Sequence, residues 1–104
     1  MKMIICSIHD KASDAYMRPF FCQTKGQAIR MFVDLIDDEN TDIARHKEDY
    51  ALFEVGTWND NTAELMSIEP ICLMRAHEKT ALEKNLERLS NDELEGRNLN
   101  NGVN

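Results

Sequence analysis

The sequence predicts an α+β fold: an antiparallel β-sheet of two hairpins plus a short strand, one amphipathic helix packed on one face, and a second, C-terminal helix. Three observations predict it. Short β-prone runs separated by polar turns come in two pairs, 3–8 with 15–22 and 49–57 with 63–68. Between the pairs lies one stretch whose apolar residues recur at helical spacing. From Thr80 onward the chain becomes charged, with spaced leucines. The 104 residues suffice for one domain and not for two ordinary ones. The expected organisation is a globular part over 1–76, a helix over 77–96 and a disordered tail over 97–104.

The first run, 3–8, reads Met-Ile-Ile-Cys-Ser-Ile and alternates little, so both of its faces are expected to be covered. Residues 9–14 form a polar turn. The return run, 15–22, contains Pro19, which has no amide to give to a ladder and therefore belongs at an edge or in an irregular stretch. Thr24 and Gln27 form a capping box that opens a helix over 24–38. Ala28, Met31, Phe32, Leu35 and Ile36 make its apolar stripe, which Ile29 and Val33 widen. Asp37-Asp38-Glu39-Asn40 ends it, although acids at a helix C-terminus are unfavourable. Residues 41–48 are polar. Residues 49–57 are a strand with Ala51, Phe53 and Val55 on one face, 58–62 a turn, and 63–68 the returning strand. Pro70 is expected to break that strand, leaving 71–75 as a further short one. Thr80 and Glu83 form a second capping box. Leu82, Leu86 and Leu89 then make a narrow stripe, suited to a partner helix or to the protein's own sheet. The Asn-rich residues 97–104 look disordered.

The net charge of -7 favours solubility and repels phosphate backbones and anionic lipid. Any nucleic-acid site must therefore concentrate its cations locally. Cys6, Cys22 and Cys72 lie in apolar runs without a C-x-x-C spacing, which reads as buried, reduced thiols of a cytosolic protein. The N-terminal apolar run is too short for a signal peptide's core, and nothing later is long enough to span a membrane.

No constellation of residues points to catalysis. His9, His46 and His77 are far apart and lack metal-ligand spacing, so no metal is expected. A pairing of Cys6 or Cys22 with His9 competes with the plainer reading of core cysteines, inert when buried. Asp34, Asp37, Asp38, Glu39 and Asp42 crowd one helix end, where a solvated charge run explains them. No phosphate loop, nucleophile elbow or dinucleotide turn is present, and no cofactor is implied.

The most informative pattern is the interleaving of cations and rings. Lys11, Tyr16, Arg18, Phe20, Phe21 and Lys25 form one group, and Arg45, His46, Lys47 and Tyr50 another. Single-stranded nucleic-acid sites combine cations that follow the backbone with rings on which bases stack. Both groups flank strand entries and can meet at one sheet edge. Tyr16 and Tyr50 are the expected exposed rings, because tyrosine tolerates a wet edge. The candidate nucleic-acid-binding residues are thus Lys11, Tyr16, Arg18, Lys25, Arg45, His46, Lys47 and Tyr50. The plainer reading keeps Phe20 and Phe21 in the core and the cations on a solvated surface.

Several runs in order resemble the small nonstructural protein of gokushoviruses, single-stranded DNA phages of the microvirus family. They are Ser7-Ile-His-Asp-Lys-Ala12, Arg18-Pro-Phe-Phe-Cys22, Lys25-Gly-Gln-Ala-Ile-Arg-Met-Phe32 and His46-Lys-Glu-Asp-Tyr-Ala-Leu-Phe-Glu-Val-Gly-Thr57. The likeness covers about residues 3–75. It implies a non-capsid protein of the host bacterial cytoplasm, absent from the virion. Its expected work is in phage DNA replication or the switch to single-strand synthesis, by binding DNA, preferably single-stranded, or a phage or host replication protein. It brings no catalytic residues. The competing expectation is a protein–protein regulator that never touches DNA. The apolar surplus on residues 3–8 and on the wide helix stripe further predicts a homo-oligomer, a dimer.

Overall fold

The structure, a computed structural model, describes residues 1–79; the helix expected to 96, with Leu82, Leu86 and Leu89, and the tail over 97–104 lie beyond them. Five strands and two short helical elements surround one longer helix. They are β1 (Lys2–Asp10), β2 (Ala15–Tyr16), β3 (Phe20–Cys22), α1 (Lys25–Asp37), α2 (Asp42–Arg45), a 3-10 turn (Lys47–Asp49), β4 (Tyr50–Asn59) and β5 (Glu64–Arg75). Residues 76–79 begin a further helical turn. All strand pairings are antiparallel. β1 is central, with β4 along one side and β5 beyond it. On its other side β2 pairs with His9 and Asp10, while β3 pairs with Ile4 to Cys6. The fold is thus the expected α+β one, with a single helix laid on the sheet.

The return run breaks where Pro19 stands. Residues 17–19 leave the ladder between β2 and β3, and Ser7 Oγ donates to the Met17 carbonyl at 2.6 Å to hold the crossing in place. Pro70, by contrast, does not divide β5, which continues for 12 residues. β5 is the outer edge, and its register shifts twice against β4, so the missing amide is absorbed there. The second hairpin is correspondingly longer than expected, with Trp58 and Asn59 in β4 and the turn at 60–63. At Gly56 the backbone of β5 comes so close that a Cβ would stand 2.6 Å from the Met66 carbonyl oxygen.

Thr24 caps α1 as its sequence predicts: its hydroxyl accepts from the Gln27 amide at 3.1 Å. Gln27 Oε1 reaches back to the Gln23 amide, one residue before the cap. Ala28, Phe32 and Ile36 bury the inner stripe against Cys6, Ile8, Cys22 and Leu52, joined by Ile43 and Ala76. Each large side chain so buried contributes roughly 1.5–3 kcal/mol. Met31, expected in this stripe, is 44% exposed. The stripe is therefore narrower than the sequence pattern suggests. Residues 41–48, read as merely polar, contain α2. Thr41 caps it by accepting from the Ala44 amide and donating to the Leu35 carbonyl, which points Ile43 into the core.

Candidate nucleic-acid interface

Strand alternation assigns the two faces of the sheet. Even-numbered Ile4, Cys6 and Ile8 of β1 join Leu52 in the core under α1. Odd-numbered Met3, Ile5, Ser7 and His9 take the opposite face. Directly paired residues share a face, so Tyr16 and Ala51 join His9, Phe53 joins Ser7, Phe21 joins Ile5, and Trp58 joins Met3. No helix among the described residues covers this face.

The uncovered face carries two groups of rings. At one end His9 lies 4.8 Å from Tyr16 and 6.1 Å from Phe53, and Tyr16 lies 5.7 Å from Phe53. The two contacts to Phe53 are T-shaped, the arrangement that ring quadrupoles favour. At the other end Phe21 and Trp58 meet edge-on at 6.1 Å. Ile5 and Ser7 are buried between them although no helix among the described residues lies above. Tyr16 and Phe21 remain about half exposed. His9 Nε2 is 3.1 Å from Asp14 Oδ1, which holds the imidazole; Asp14 sits at φ 51° in the tight turn joining β1 to β2.

The sequence-derived cations do not assemble into one patch. Lys11 and Arg18 flank β2 and so stand beside the Tyr16 ring group; among the described residues neither has a carboxylate within ion-pair distance. Lys25 lies on the helix side, 3.8 Å from Glu54 Oε1, a buried oxygen with no hydrogen bond among the described residues. The Arg45 guanidinium donates to the Asn40 and Glu39 carbonyls at 3.0 and 3.5 Å, closing the end of α1. Arg45 and Lys47 line a separate hollow with the acids Asp37 and Glu39. His46 is the cap between α2 and the 3-10 turn. Tyr50, expected as an exposed ring, is half-buried against the core. Burial foremost, then Asp10, Asp42 and Asp49, push its hydroxyl pKa above the usual range.

Sequence reasoning found Tyr16, Lys11 and Arg18 and missed His9, Phe53 and Trp58. Of the two phenylalanines grouped with the cations, for which the plainer reading was the core, Phe20 packs on the core and Phe21 stands half exposed on the ring face. The missing signal was parity across β1 and β4: Ile5, Ser7 and His9 share a face with Ala51 and Phe53. Val55, expected alongside Ala51 and Phe53, falls at a register shift and drops out of that set.

The expectation of three buried thiols is corrected at Cys72, which is exposed because β5 is an edge strand. Cys6 and Cys22 are buried under α1, on the face opposite His9, so no thiol–imidazole pair forms with that histidine. Burial, with smaller effects from Cys22 and Glu54, pushes the Cys6 thiol up to about 11. No group of three or more metal-ligating side chains gathers among the described residues. No helix there is long and apolar enough to cross a membrane.

A family model described as phage ORF5 protein matches residues 3–79, which take in α1 and all of the sheet but Lys2. No curated protein and no solved structure matches the chain.

Proposed function

The chain belongs to the phage ORF5 protein family, and on that premise we propose that it is a non-enzymatic phage accessory protein that holds single-stranded DNA across its uncovered sheet face. The observation that carries this reading is the pair of ring groups, His9 with Tyr16 and Phe53, and Phe21 with Trp58, on a face that no helix among the described residues covers. Unstacked bases present flat apolar surfaces, and stacking on protein rings is worth about 1–3 kcal/mol per base. Duplex DNA keeps its bases stacked inside and offers no such surface. Lys11 and Arg18, without acidic partners among the described residues, supply phosphate attraction beside the first ring group.

In this proposal the protein is of the gokushovirus nonstructural type. It works in the host bacterial cytoplasm, is absent from the virion, and serves viral DNA replication or the switch to single-strand synthesis as a homodimer. A gel-shift titration with single-stranded and duplex DNA across a salt series tests it. A single-strand binder retards the single strand preferentially, and its affinity falls steeply as salt rises.

A second reading, a protein–protein regulator without DNA contact, draws on the same face. Leu65, opposite Trp58 on β5, is 65% exposed, and a contiguous apolar surface of this kind also suits a protein partner. A regulator gives no shift with either DNA even at low salt.

A further inference from the structure

At the Tyr16 end of the ring face lies a cavity of about 240 Å³. The rings of His9 and Phe53 stand on its wall, at 80° to each other. Three segments converge there. The Lys11 amide donates to the Asp49 carbonyl at 2.7 Å, tying the end of β1 to the 3-10 turn, and Arg75 pairs with Ala51, which brings His77 to the same rim. The cavity therefore receives cations from Lys11, Arg75 and His77 when protonated, and carboxylates from Glu48 and Asp49.

These charges do not neutralise one another. Among the described residues Glu48 and Asp49 have no cation within ion-pair distance, and Lys11 and His77 have no carboxylate. Arg75 is paired with Glu78 at 3.9 Å. An aromatic wall beside unpaired acceptors and unpaired cations suits a flat ligand that carries hydrogen-bond donors on one edge and an anion on its tether. We propose that this cavity takes one nucleotide whose base bears an exocyclic amino group, cytosine in preference to thymine. The base packs against the wall made by His9 and Phe53, Glu48 and Asp49 accept from the amino group, and Lys11 meets the phosphate. Cytosine presents an N4 amino donor where thymine presents the O4 acceptor, which two carboxylates repel. This inference rests on the reading of the protein as a single-strand binder and adds base preference to it.

The test is an anisotropy titration of the full chain, at low salt, with labelled oligo-dC and oligo-dT of equal length. The wild type should bind oligo-dC about fivefold or more tightly than oligo-dT, the range one base-edge contact commands. Glu48→Gln with Asp49→Asn should bring the two within about twofold, chiefly by strengthening oligo-dT as two negative charges leave the phosphate path. Equal wild-type affinities overturn the pocket and leave the ring face standing, and so does a preference that survives the double substitution. Binding of neither oligonucleotide overturns both. A second measurement does not depend on the variant folding: NMR titration of the wild type with dCMP should move the ring signals of His9 and Phe53. Shifts confined to Trp58 would overturn the assignment.

Discussion

The rings of His9 and Tyr16 stand 4.8 Å apart, tilted by 58°, across the pairing of β1 with β2 and on the face of the sheet that α1 does not cover. The pairing comes from a β2 only two residues long, set antiparallel to the end of β1. It holds Tyr16 opposite His9 before residues 17–19 turn away, and the Ser7 hydroxyl bound to the Met17 carbonyl fixes that departure. A tyrosine that packed under the helix would have no such role.

Tyr16→Ala should weaken binding of single-stranded DNA by roughly 1–3 kcal/mol, the value of one stacking ring. Duplex binding, which rests on phosphates, should change little. Tyr16 is 48% exposed, so the melting temperature should hold. Filter binding with both DNA forms checks this, and equal losses for the two would mean that Tyr16 contributes no stacking.

Lys11→Glu with Arg18→Glu should weaken DNA binding uniformly across sequences. It should also flatten the salt dependence by about 0.7 in log–log slope for each phosphate that is no longer neutralised. Arg45→Glu with Lys47→Glu should cost less, because the Arg45 guanidinium is already held by the Glu39 and Asn40 carbonyls and sits with Asp37 and Glu39. The order of the two double variants is the measurement. If the Arg45 pair costs more, the DNA path runs over α2 and not over β2.

Local chemistry was legible in the sequence where neighbours decide it. The Thr24 cap, the Phe32–Ile36 stripe and the edge-breaking Pro19 each depend on residues a few positions away. The ring face was illegible because it depends on register between β1 and β4, some 45 residues apart, and on the extra residue at Val55 that resets the alternation. Pro70 misled for a related reason. Its missing amide matters only if both sides of the strand are paired, and the sequence does not say that β5 is outermost. Clustering of Arg45, His46 and Lys47 along the chain likewise concealed that α2 turns Arg45 back onto carbonyls.

Gly56→Ala should destabilise the domain by roughly 1–3 kcal/mol, the usual cost of overpacking. The obstacle is backbone: the new Cβ would meet the Met66 carbonyl oxygen at 2.6 Å, and no side chain can swing aside to relieve it. β4 and β5 must separate locally. A thermal melt checks the loss, and hydrogen exchange should show the added opening at amides of β5 before those of β1.

The thiols should separate by reactivity and by pH. At pH 8 a thiol reagent should modify Cys72 alone in the folded protein and all 3 cysteines after denaturation. Cys6 is raised from an ordinary 9.0 to about 11 by burial. Between those values the unfolded chain has lost a proton that the folded chain keeps. This contribution to stability is therefore fully present below about pH 9 and is lost as pH rises through about 11. Cys6→Ala should flatten the fall in melting temperature over that window, and an unchanged slope would mean that another group governs it.

The outer edge of the sheet bears on the dimer. β5 leaves Met66 and Ile71 about half exposed, and both pair with residues of β4 on the helix side, Met66 with Thr57 and Ile71 with Glu54. A long apolar edge invites association unless it is blunted. Pro70 and the two register shifts do blunt strand-to-strand pairing through the middle of β5. Two-fold pairing of its first half, residues 64–69, would set Glu64 of one chain against Glu69 of the other, a like-charge pair that opposes it. Side-chain packing through Met66 and Ile71 avoids both obstacles. Met66→Lys with Ile71→Lys should therefore convert the proposed dimer to a monomer in sedimentation at micromolar concentration while leaving the Tyr16 ring group, on the opposite face, able to bind single-stranded DNA. A wild type that sediments as a monomer would sink the dimer and leave this edge for a different partner. A variant that stays dimeric would move the interface to the ring face, and DNA should then compete with dimerisation.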